Sequence, residues 1–173
     1  MTSDLGFTCP RCGAHHPEPP MHHTAEAPAV WDPAFADADG CLLSSDRCVI
    51  HRQHHFVRGL IEIPVIGREE VFSWGVWVSL SRENYSRAVD LWDTPGREGE
   101  APYFGWLTTE LPVYPSMTLD LKTNVHTRAV GQLPFVELEP TDHPLAVEQR
   151  TGITPDRVRE IAAALLHPDG ERQ

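Results

Sequence analysis

Val71-Phe72-Ser73-Trp74-Gly75-Val76-Trp77-Val78-Ser79-Leu80 alternates with period two. Successive side chains of an extended chain point to opposite faces, so Phe72, Trp74, Val76, Val78 and Leu80 share one side, which is expected to be core. Upstream, Cys48-Val49-Ile50-His51, a polar turn at Arg52-Gln53 and the run from His54 to Gly59 read as a hairpin. Residues 60–66 continue extended, with Pro64 marking an edge or a bulge because it has no N–H to donate. Downstream, Ser81 caps a helix carrying Tyr85, Ala88, Val89 and Trp92 on one stripe, stopped by Thr94-Pro95-Gly96. Residues 103–107, 118–127 and 135–138 give three further strands.

The remaining chain is loop and helix. A short helix is expected after Asp32-Pro33, ending at Gly40. Another runs from His143 to Gln149, stopped before Gly152. A third opens at Thr154-Pro155-Asp156 with Val158, Ile161, Ala162 and Leu165 as its apolar face. Hairpin-length connections point to α+β: a largely antiparallel sheet flanked by two or three helices, with an N-terminal zinc-knuckle-like segment. The 173 residues read as one domain. Residues 1–24 are its metal knuckle and proline-rich lead-in, 41–139 its sheet with one helix, and 140–168 its C-terminal helices.

Hydrophobic residues make up 40% and charged residues 23%, as in ordinary folded proteins, and the formal net charge is −11. An acidic chain of this kind is read as binding neither nucleic acid nor anionic membrane, since phosphate is bound by neutralising it with Lys and Arg. The first residues have no signal-peptide character and no apolar run approaches a membrane span, so the expected location is the cytoplasm. There, four cysteines point to metal or reduced thiols rather than disulfides.

Phe7-Thr8-Cys9-Pro10-Arg11-Cys12-Gly13-Ala14-His15-His16 carries the most specific chemistry. Two thiolates on one tight turn can share a soft ion, and the glycine lets the chain turn back beneath them. A thioredoxin-like role fits less well, because no helix follows the second cysteine. A second Cys-x-x-Cys is missing, so the other ligands are sought among Cys48, His16, Cys41, His15 and His51. Four protein ligands make a structural zinc site, whereas three plus water make a Lewis acid. Adjacent pairs such as His22-His23 and His54-His55 point to opposite faces of a strand and read mainly as surface or hydrogen-bonded histidines. Arg58, Glu62, Lys122, His126, Glu137 and His143 either line a polar pocket or form solvated strand faces. Trp74 reads as core, and Trp77 and Trp106 as a binding platform or as packing beneath a helix. No metalloprotease helix, nucleophile elbow or phosphate loop occurs.

The knuckle, Ser45-Asp46-Arg47-Cys48-Val49-Ile50, the runs 56–64 and 74–81, Tyr103-Phe104-Gly105-Trp106-Leu107 and residues 142–149 together resemble the bacterial family known as domain of unknown function 2199. The resemblance spans almost the whole chain. It implies a bacterial source and no defined activity. It also implies a ligand set of Cys9, Cys12, His16 and Cys48 for Zn2+, with no counterpart for Cys41. The expected function is a zinc-stabilised binding or regulatory module whose partner is a protein or a small molecule. The alternatives are a zinc-dependent hydrolase and an acidic immunity- or antitoxin-type protein that neutralises a basic partner.

Overall fold

The computed structural model describes residues 6–9, 12–16 and 19–166, the side chains of Phe7 and His16 excepted. Pro10 and Arg11 of the knuckle, residues 17 and 18 of the lead-in, and residues 167–168 of the expected last helix lie outside the described residues. In chain order the strands are β1 (Phe7–Thr8), β2 (His15–His16), β3 (His22–Thr24), β4 (Leu42–Leu43), β5 (Arg47–Ile50), β6 (His54–Pro64), β7 (Val71–Leu80), β8 (Tyr103–Leu107), β9 (Lys122–His126) and β10 (Phe135–Leu138). The helices are α1 (Arg82–Asp90), α2 (Pro144–Thr151) and α3 (Pro155–Leu166), with 3-10 turns at Pro33–Asp37 and Arg97–Gly99.

Each strand from β6 to β10 is antiparallel to the next. The run then closes on itself where Phe135 of β10 pairs with Leu60 of β6. Five strands of alternating direction end pointing as they began, so the closing pair must be parallel. A second parallel pair sets β3 along β7, from His22↔Ser73 to Thr24↔Gly75. The fold is therefore α+β with a mixed sheet and a closed five-stranded barrel, rather than the largely antiparallel sheet expected. Short connections reveal neighbours that follow one another, and they are silent about a strand that returns to the first.

β6 and β7 are long enough to pair twice along one edge. β7 meets β6 on one side, and β3 and then β8 on the other. Its two faces feed different cores. Phe72, Trp74, Val76, Val78 and Leu80 point into the main core with Val125, Val136 and Leu145, as their spacing predicts. Trp77 points the other way, is 0% exposed, and packs with Cys48, Ile50 and Phe56 against Trp31 and Phe35. Its indole Nε1 donates to the Ala25 carbonyl (2.9 Å).

The helix starts agree with their capping residues. Ser81 Oγ accepts from the Asn84 N–H (3.1 Å), and Thr154 Oγ1 accepts from the Arg157 N–H (3.1 Å). α1 stops at Asp90, so Trp92 lies beyond it, held between the guanidinium groups of Arg47 and Arg97. The expected strand over residues 118–127 is shortened to β9. Asp120 adopts a left-handed φ of 66°, and Thr118 is buried with its hydroxyl donating to the Thr109 carbonyl (2.8 Å). The helix expected after Asp32-Pro33 is the 3-10 turn, capped by Asp32 Oδ1 accepting from the Ala34 N–H.

The seam between β6 and β10 leaves no room for a side chain at Gly59. A Cβ there would lie 2.6 Å from Val136 Cγ2 and 3.0 Å from the Pro134 carbonyl oxygen. Gly59→Ala is expected to destabilise the fold by about 1–3 kcal/mol through overpacking. Urea unfolding reads this as a lower midpoint with an unchanged slope, whereas an unchanged midpoint would show that the seam can widen.

Candidate functional site

The described residues of the knuckle form a small hairpin. β1 and β2 form a two-stranded antiparallel sheet, Phe7↔His16 and Thr8↔His15, separate from the large sheet. The Cys9 N–H donates to the Ala14 carbonyl (2.8 Å), and the Gly13 N–H donates to the Cys9 carbonyl (2.8 Å). Gly13 turns the chain with φ +73°, which a side chain would resist. Cys9 is buried and Cys12 exposed. Cys9 and Cys12 are the two cysteines expected to form one half of a tetrahedral thiolate site.

Among the described residues the other half is not assembled. Among the described residues no three Cys, His, Asp or Glu side chains gather as a metal-holding group, so Cys9, Cys12 and Cys48 are not brought together, and the His16 side chain lies outside the described residues. Cys48 sits on β5 opposite Phe56, 0% exposed in the smaller core. Burial and the neighbouring Cys41 push its thiol up to about 12. Cys41 and His51, the other candidates, meet each other instead, with Cys41 Sγ 3.6 Å from His51 Nδ1.

The polar candidates divide in the same way. His143 caps α2, its Nδ1 accepting from the Leu145 N–H (3.1 Å) while Nε2 faces the Ser116 and Met117 carbonyls. These partners assign the proton to Nε2 and leave His143 structural. Arg58 donates to the Ser45 carbonyl (3.0 Å). Glu62, Lys122, His126 and Glu137, by contrast, come together on the outside of the barrel.

That outer face is built by strand alternation. Tyr103, Gly105 and Leu107 of β8 turn inward, so Phe104 and Trp106 turn outward and stand 40% and 41% exposed. The two rings meet edge to face at 5.2 Å. Register sets Trp106 beside Lys122, Phe104 beside Asn124, Asn124 beside Glu137 and His126 beside Phe135. The Lys122 ammonium lies 5.9 Å from the Trp106 ring, Glu62 pairs with Arg128 (2.6 Å), and His126 Nε2 lies 3.4 Å from Glu137. Helices α1 and α2 pack on β6, β7 and β10, away from this pair of rings. A cleft of about 470 Å3 opens along β6 and β10, lined by Glu62, Phe135, Glu137, Gln149 and Arg150 among others. Trp77 and Trp106, each read as a binding platform or as packing, divide here: Trp77 is buried and Trp106 exposed. Its partner Phe104 was signalled only by its position two residues earlier in the same strand.

At one end of the barrel Glu100 accepts both nitrogens of Arg87 (2.6 Å each) and the Tyr103 hydroxyl (2.7 Å). The hydrogen bonds from Arg87 and then Tyr103 hold its carboxyl down at about 2. The arrangement orders the β8 entrance and presents no proton near its ordinary range for chemistry.

Because Cys48 is sealed and its thiol is held protonated, alkylation by iodoacetamide at mildly alkaline pH should label Cys48 only after denaturation. Peptide mapping of native and urea-treated protein checks this, and rapid native labelling would show that β5 opens.

Among known proteins, the family described as "Uncharacterized protein conserved in bacteria (DUF2199)" matches residues 8–153, from the knuckle through the bridge between Val65 and Ile153. No curated protein and no solved structure matches the chain. No helix among the described residues is long and apolar enough to cross a membrane. With its knuckle, barrel and first two helices all inside the matched span, this chain belongs to the bacterial DUF2199 family.

Proposed function

We propose that this chain is a binding module that takes a basic polypeptide segment across the outer face of β8, β9 and β10. The exposed Phe104–Trp106 pair carries the reading. Two large aromatic side chains on an otherwise polar strand face are a pattern of recognition surfaces, where they supply contact area at little entropic cost. The Trp106 ring already takes one ammonium, that of Lys122, and a ligand Lys or Arg would find the same negative ring face, with the Glu137 carboxylate farther along the same outer side on β10. The net charge of −11 favours encounter with a basic partner.

Titration with a Lys/Arg-rich peptide and an acidic peptide of equal length, followed by tryptophan fluorescence, tests this. The basic peptide should bind and the acidic one should not. Trp106→Ala should weaken binding about tenfold or more, as expected for loss of one aromatic contact worth about 1–2 kcal/mol. Equal binding of both peptides, or an unchanged Kd in Trp106→Ala, would sink the reading.

A second reading belongs to the knuckle, where the Gly13 turn and its two hydrogen bonds hold Cys9 and Cys12 on one tight loop. Zinc bound through these two thiolates would fasten the N-terminal hairpin, a structural role rather than a catalytic one. Metal analysis of purified protein should find stoichiometric zinc that Cys12→Ser removes and Cys48→Ala retains. Protein purified without chelator and free of zinc would exclude this reading without touching the peptide-binding one.

A further inference from the structure

At the edge of the smaller core a thiol meets an imidazole, a pair that neither reading uses. We infer that Cys41 is a thiolation site, at which the thiol, with His51 as its base, exchanges with low-molecular-weight disulfides to form a lasting mixed disulfide. Cys41 is half-buried, packed against the edge of the smaller core. His51 Nδ1 lies 3.6 Å from Sγ, within reach for the thiol proton. The His51 backbone N–H donates to the same sulfur (3.4 Å), an interaction that favours developing negative charge.

The placement of His51 is held from several sides. The turn from Ile50 to Gln53 closes with the Gln53 N–H donating to the Ile50 carbonyl (3.1 Å), and both central residues, His51 and Arg52, have positive φ, 51° and 56°. Such a turn ordinarily uses Asn or Gly, so two larger residues there have a conformational cost. Contacts to the 39–41 segment hold it in place. The Arg52 N–H donates to the Gly40 carbonyl (2.9 Å), and the Arg52 guanidinium donates to both Asp39 oxygens (3.0 and 2.9 Å). The Phe35 ring meets the imidazole edge to face at 4.9 Å. The turn therefore presents an imidazole to a sulfur ten residues away in sequence.

The exchange balances without any further oxidant. The Cys41 sulfur attacks one sulfur of R–S–S–R, and its proton passes to His51. A Cys41–S–S–R bond forms, the R–S–S–R bond breaks, and the departing thiolate leaves as R–SH after taking that proton back. Cys41 sulfur is oxidised and the leaving sulfur is reduced. Cys48 shares the smaller core but is fully buried and held as a thiol, so it does not displace R–SH, and the adduct stays on Cys41.

The full chain incubated with oxidised glutathione at neutral pH, followed by peptide mass mapping, tests the inference. A glutathione adduct should appear on Cys41, with none on Cys48. His51→Asn is the informative variant because Asn tolerates the left-handed turn while removing the base. It should slow adduct formation at Cys41 by about 100-fold at neutral pH. The gap should narrow in alkali, where hydroxide replaces the base, and circular dichroism should be unchanged. The inference is overturned by no adduct on Cys41, by a Cys41–Cys48 disulfide in its place, or by an equal rate in His51→Asn.

Discussion

Everything in the barrel depends on one narrow parallel seam between β6 and β10. Backbone pairing there is short. The Leu60 N–H donates to the Pro134 carbonyl (2.9 Å), and Phe135 sits opposite Leu60. Beyond that point the strands part, and the free edge of β10 would leave buried polar groups unpaired at a cost of about 1–3 kcal/mol each. Gln149 of α2 fills the gap. Its amide Oε1 accepts from the Leu138 N–H (2.8 Å), and its Nε2 donates to the Val136 carbonyl (2.9 Å), so a helix side chain continues the ladder on the edge that takes Leu60. On the outside, the Arg128–Glu62 ion pair spans the join between the strands.

The loop that delivers β10 to the seam is itself held by one buried cation. Arg97 is 7% exposed and donates to the carbonyls of Trp92, Arg128, Ala129 and Gln132. Four carbonyl partners meet most of the guanidinium's donor capacity, which is how a charge without a carboxylate partner can be buried. α2 and α3 are joined to the same structure by a polar relay inside the core. Trp74 Nε1 donates to the Tyr114 hydroxyl, which donates to Glu148 (2.8 Å), and Glu148 also accepts from Arg157 (2.8 Å). The helices thus serve the seam and the core, while Phe104 and Trp106 stand exposed on the outer face of β8.

Closure also separates the chemistry of the two cysteine regions. β7 turns Trp77 away from the barrel, and the cluster it nucleates draws in Cys48 from β5 and Cys41 from the loop before β4. A sulfur sealed in that way is a small apolar residue and not a ready metal ligand. The described residues of the knuckle form their own small sheet, with Gly13 at its turn. Cys41 lies between these extremes, half-buried with an imidazole 3.6 Å from its sulfur.

Periodicity determined much of this fold. The β7 core face, the Ser81, Thr154 and His143 helix starts, and the stop at Gly152 follow from local spacing, because each depends on residues within a turn or a strand of one another. The knuckle turn was legible for the same reason. What sequence could not supply was every relation between distant residues: the parallel seam of Leu60 with Phe135, the pairing of β3 along β7, the seat of Cys48 beside Trp77, and the meeting of Cys41 with His51. Glu62, His126 and Glu137 likewise became one surface only when the barrel closed. Alternation says which face of a strand a side chain occupies. Which strand lies next to it is decided by closure of the whole sheet, and the ligands available to a thiol or an aromatic ring are decided with it.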